Sequence, residues 1–141
     1  MGDIQARHMI LEFLRQHTLA VIATSSRDGR PEAAAIDFSV RDDLAIVFDT
    51  FEHTRKFANL SDQSHVALVI GWDNGITIQY EGEAAKVSAD DLERYQEAHI
   101  KSVPAEREFV EKGAVVFRVE PRWIRYSDYT RTPPDVIELR F

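Results

Sequence analysis

Between Leu19 and Ile70 the chain places four short apolar runs in succession, Leu19–Thr24, Ala33–Val40, Leu44–Phe48 and His65–Ile70. Each is too short for a packed helix and is followed by turn residues or a polar break, the pattern of strands rather than helices. The first gives way to Ser26-Arg27-Asp28-Gly29-Arg30-Pro31, in which Gly29 supplies the positive φ of a tight turn. A further run, Gly75–Val87, follows Asn74-Gly75 and carries Gly82 in its middle, where a bulge or sharp bend is expected. Val115–Glu120 and Trp123–Asp128 alternate apolar and polar residues and read as two closing strands. About seven strands that do not alternate one-to-one with helices argue against a doubly wound sheet. They point to a mainly β, α+β chain built as a closed or partly closed barrel, since closure removes exposed edges.

The helices are few and short. Asp3 is a candidate N-cap for a helix within residues 1–17, where Ile4, Ile10, Leu11 and Leu14 recur at helical spacing. Glu52–Leu60 reads as a second helix. Ser88 with Asp91 resembles a capping box, and Leu92, Tyr95, Ala98 and His99 then share one face. Pro104 interrupts that helix, and Ala105–Lys112 forms another turn or two before Gly113. The breaker-rich stretch Thr130–Pro134 opens a tail, residues 130–141. No internal repeat or domain boundary is visible, so residues 1–141 are read as one domain.

Charge and composition narrow the function. The 141 residues carry a formal net charge of −7, so nucleic-acid binding would need a local basic patch, and none is long enough. The absence of cysteine excludes disulfides, a thiol nucleophile and thiolate metal sites. No signal-peptide pattern and no membrane-length apolar run is present, so the expected location is the cytoplasm.

The most suggestive polar residues stand at the start of the second helix. Arg55 and Lys56 fall in its first turn, where the helix dipole already disfavours cations. Basic side chains beside free backbone N–H groups make an anion site, and Thr50 and Thr54 add hydroxyls. A solvated helix end with two long side chains is the other reading. Trp72 and Trp123 are either core or interface anchors, or platforms for a planar ligand. The five histidines show no ligand spacing. Asp49, Glu52 and His53 are read as a polar helix start rather than a metal cluster, so no metal is expected. No nucleophile triad, Walker loop or Gly-x-Gly-x-x-Gly turn is found.

The order of these pieces carries a resemblance. Leu19–Thr24, Asp28-Gly29-Arg30-Pro31, Thr54-Arg55-Lys56, Asn59-Leu60 before Val66–Ile70, Trp72, Glu81-Gly82-Glu83-Ala84 and Trp123-Ile124-Arg125-Tyr126-Ser127-Asp128 follow one another as they do in the flavin-binding split-barrel family, the group that includes pyridoxamine 5'-phosphate oxidase. The resemblance implies a split β-barrel that binds FMN at the interface of a homodimer. It implies phosphate contacts from Thr54, Arg55 and Lys56, with Asp49 and Thr50 beside them. Ala34, Ala35, Ile36, Asp37 and Phe38 would pass along the flavin ring with their backbone. Thr77, Gln79 and Trp123 would complete the site, partly from the partner. The chain departs from the oxidase at Ala33 and Phe38, where that enzyme has Arg and Lys, and it ends without a counterpart of the basic substrate ligands. The expected function is therefore an FMN-dependent oxidoreductase on an unknown small molecule other than pyridoxamine phosphate. Two alternatives stay open. One is a deazaflavin-dependent reductase of the same fold, whose acidic cofactor calls for more basic groove residues. The other is a flavin- or haem-binding, stress-related module without turnover.

Overall fold

The computed structural model describes residues 2–141. Helix α1 (Asp3–Arg15) precedes strands β1 (Leu19–Ser25), β2 (Pro31–Asp37), β3 (Ser39–Val40) and β4 (Ile46–Thr50). Helix α2 (Arg55–Asp62) leads to β5 (His65–Ile70) and β6 (Ile76–Lys86). Helices α3 (Ala89–Ser102) and α4 (Glu106–Glu111) then lead to β7 (Val115–Asp128) and β8 (Asp135–Arg140). All pairings are antiparallel, in the order β2-β1-β5-β6-β7-β4-β3, with β8 added beside β7. The sheet curls into the half-barrel expected of a split barrel.

Alternation along the strands makes this one core. In β5, Val66, Leu68 and Ile70 are buried while His65, Ala67 and Val69 face outward, as a one-sided pleated sheet requires. The buried set runs through Ile22, Phe38, Phe48, Leu68, Ile78 and Ile124, and α1 closes it with Ala6, Ile10 and Leu14. Tyr80 is fully buried, and its hydroxyl donates to the Leu44 carbonyl at 2.8 Å. Burial pushes that phenol's pKa well above its ordinary value.

The expected bend is where Gly82 stands. The β6–β7 register shifts between Glu81 and Gly82, so that Glu81 faces Trp123 while Gly82 faces Pro121. A Cβ on Gly82 would sit 2.3 Å from the Glu120 carbonyl oxygen, so the two backbones approach closely enough to require glycine. The first turn is also as read: Gly29 has φ 85°, and Ser26 N–H donates to Arg30 O across it.

Several boundaries differ from the sequence reading. Gly2, not Asp3, is the N-cap of α1, and Ile4 is exposed. The Ala33–Val40 run is divided at Phe38 into β2 and β3, and Phe38 N–H donates to Thr18 O beside the last β1–β2 pair. The two closing strands are one continuous β7 that passes through the bulge. The stretch read as a tail contains β8, paired with β7 from Trp123↔Arg140 to Asp128↔Asp135. Leu139 and Ile137 hold it to the core. Ser88 is the N-cap of α3, but its hydroxyl bonds the Asp91 carboxylate rather than a backbone N–H.

Candidate functional site

Helix α2 begins where the sequence places two cations. Thr54 is its N-cap, and the Thr54 hydroxyl accepts from Phe57 N–H at 3.3 Å while donating to Phe51 O at 3.0 Å. Thr50 Oγ1 lies 2.8 Å from Thr54 Oγ1, so the end of β4 is tied to the start of α2. Arg55 and Lys56 are therefore the first two helical residues, beside backbone N–H groups that no helical carbonyl can satisfy.

Two clefts meet at Lys56. One, of about 150 Å³, is lined by Ile22, Thr24, Glu32, Ala33, Ala34 and Arg55 as well as Lys56. The other, of about 300 Å³, has Ala35, Ile36, Asp37, Asp49, Thr50 and Thr54 in its walls, closed by Glu106 and Phe109. The β2 backbone thus runs along both clefts, and its alanines keep the approach low. Partial burial lowers the Lys56 pKa, and the nearby Asp49 carboxylate partly offsets this. Arg55 is mostly exposed and sits 3.4 Å from Glu32. Glu32 also accepts from Asn59 Nδ2, whose other bond goes to Thr24 Oγ1, both at 2.9 Å.

The far wall of the larger cleft is acidic. Asp49 on β4, His99 on α3 and Glu106 on α4 place one ligand atom each within 4.8 Å of the others. His99 is fully buried and Glu106 is 5% exposed. His99 Nδ1 is 2.7 Å from Ser39 Oγ, and its Nε2 is 3.2 Å from Asp49 Oδ2. Burial, then hydrogen bonding to Asp49 and Asp37, pushes the Glu106 carboxyl pKa up to about 9. Its acidic neighbours thus favour the protonated form of Glu106, which lessens the negative charge gathered in the cleft.

The structure brings together nine of the residues named from the sequence: Ala34, Ala35, Ile36, Asp37, Asp49, Thr50, Thr54, Arg55 and Lys56 all line these two clefts. Phe38 lies apart, with its side chain fully buried in the core. Thr77 and Gln79 on β6 and Trp123 on β7 line neither cleft. Trp72 is 52% exposed, so it is not a core anchor of this chain. The reading missed Glu32, Glu106 and His99. It grouped Asp49 with Glu52 and His53, but those two are exposed, and Asp49 pairs with His99 instead. The one available signal was His99 itself, a histidine on the same helical face as the buried Tyr95.

Comparison with known proteins bears on the family and the fold. A sequence model of the pyridoxamine 5'-phosphate oxidase family matches residues 6–128. A pyridoxine/pyridoxamine 5'-phosphate oxidase of Ehrlichia ruminantium is 28% identical over 94 residues, which is 66% of this chain and 48% of that protein. The chain thus spans about half the length of that relative. A pyridoxamine 5'-phosphate oxidase-related, FMN-binding protein of Nostoc punctiforme superposes with TM-score 0.66 at 12% identity, covering 100% of this chain and 97% of that one. A haem-binding protein of Mycobacterium smegmatis superposes with TM-score 0.75 at 18% identity, covering 90% and 57%. At those identities the two structures speak for the fold alone. The family match covers most of the chain, and this protein belongs to the pyridoxamine 5'-phosphate oxidase family.

Proposed function

We propose that this chain binds FMN, with the phosphate at Thr50, Arg55 and Lys56 and the ring along β2, and that it serves as a flavin-dependent oxidoreductase. The observation that carries the reading is Lys56, a partly desolvated ammonium shared by two clefts that run along one strand. An anion there meets a charge-assisted donor, the free N–H groups of a helix start and the Thr50 hydroxyl. Bound flavin would supply the redox chemistry, and the chain would position it and set its electrostatics. A homodimer follows from the same reading: Thr77, Gln79 and Trp123 stand outside the two clefts and would reach a flavin only from a partner. The exposed Trp72 and Val69 offer apolar surface for such a contact.

Titration of the protein with FMN and riboflavin tests the proposal. FMN is expected to bind more tightly, and the preference is expected to collapse in Lys56→Ala. Equal affinities for the two flavins in the wild type would remove the phosphate site. The spectrum of the purified protein separates the haem alternative, because a Soret band in place of flavin bands would replace FMN by haem.

A further inference from the structure

We propose that Asp49, His99 and Glu106 form a binding site for one divalent transition-metal ion, with zinc(II) the best-matched cation. Three elements that are distant in sequence converge on the site: β4, α3 and α4. The first observation is spacing. The three ligand atoms lie within 4.8 Å of one another, and Asp49 Oδ2 is 3.2 Å from His99 Nε2. Ligands about 2.0–2.1 Å from a tetrahedral zinc ion stand roughly 3.3–3.4 Å apart along each edge, so this pair already has the separation of two metal ligands.

The second observation is direction. Asp49 Oδ2 and His99 Nε2 are buried, and neither has a hydrogen-bond partner. They are close enough to bond each other, so the angle is what fails. A simple histidine–carboxylate pair would aim the ring N–H at the oxygen. Here neither atom is satisfied by the other, and two orphaned polar atoms in the interior carry a cost that a cation would relieve.

The third is support. Ser39 Oγ stands 2.7 Å from His99 Nδ1. If Nδ1–H donates to that hydroxyl, the lone pair of Nε2 is left for a metal, which is the usual arrangement of a ligating histidine. Asp49 and Glu106 both line the larger cleft, so ions have a path in and a fourth position can hold water. One imidazole with two carboxylates, Glu106 releasing its proton as the ion binds, suits a borderline ion, whereas magnesium prefers oxygen ligands in an octahedron.

The site does not depend on flavin, so the test uses flavin-free protein. Chelator-stripped wild type is titrated with zinc(II) by calorimetry, with magnesium(II) as a control, and retained metal is counted after gel filtration. One zinc per chain is expected, with affinity at least tenfold weaker in Asp49→Asn and in Glu106→Gln. Ser39→Ala is expected to weaken it by roughly 10- to 100-fold through loss of ring orientation. Cobalt(II) in the wild type gives a readout free of any folding defect in the variants, and the strong visible absorption of a four-coordinate ion is expected. No retained zinc, or zinc held equally well by both ligand variants, would overturn the proposal. So would a cobalt spectrum no stronger than that of the hydrated ion.

Discussion

The two walls of the larger cleft differ in how they manage charge. On the α2 side the cations stand at the surface or part-way to it: Arg55 faces Glu32, and Lys56 follows it in the first turn of a helix capped by Thr54. On the α3–α4 side Asp49, His99 and Glu106 are interior, and the Glu106 carboxyl is raised by desolvation and by Asp49 and Asp37. The exposed wall can exchange partners with a ligand at little cost to the fold. The buried wall cannot change charge without affecting stability. The two proposals divide accordingly, a ligand anion going to one wall and a metal ion to the other.

The largest expected effect lies on the buried wall. Glu106 has its ordinary value of 4.5 in the unfolded chain and is raised to about 9 in the fold. Between those values the folded state holds more protons, so in chelator-treated protein stability is highest at the acid end and falls as pH rises toward about 9. The slope reaches at most about 1.4 kcal/mol per pH unit for one proton. Glu106→Gln is expected to flatten it. Denaturant midpoints measured from pH 5 to 9 check this, and a wild-type midpoint that does not fall would mean that the two walls are alike.

Lys56→Ala comes next. Loss of a charge-assisted bond worth roughly 1.5–3 kcal/mol lowers FMN affinity by about 10- to 150-fold, with riboflavin little affected. Arg55→Ala is expected to do less, because Arg55 is exposed and already faces Glu32. An exposed pair is worth about 0.2–1 kcal/mol, so the loss is roughly 1.4- to fivefold. Equal losses for the two variants would show that exposure does not grade this wall. The smallest effect is a gain. Glu32→Gln keeps an oxygen acceptor for Asn59 but releases Arg55, and FMN affinity is expected to rise about twofold. A loss in the same titration would mean that Glu32 positions Arg55 rather than competing for it.

Legibility divides along the same line. The exposed wall is contiguous in sequence: Thr54-Arg55-Lys56 shows its cap and its cations within three residues, and Asp28-Gly29 and Gly82 announce their turn and bulge. The buried wall has no local pattern, because Asp49, His99 and Glu106 meet only through packing of separate elements. Strand β8 was hidden for another reason. Thr130–Pro134 breaks the chain just before it, and Leu139 is its one fully buried side chain, so no two-residue alternation stands out. That the Phe38 side chain faces the core is not legible either, because an apolar residue on a strand reads alike whether it faces a ligand or the core.

Strand β7 has a consequence for synthesis. Apart from the two-residue β3, it is the sole sheet neighbour of β4, and it also joins β6 and β8. On a ribosome β4 emerges before β7 and must wait while α2, β5, β6, α3 and α4 are made. Partners so remote in sequence make closure slow relative to local structure. The cleft that takes its acidic wall from β4, α3 and α4 thus waits for a strand made after all three, and a nascent chain cannot capture a ligand there before β7 has been made.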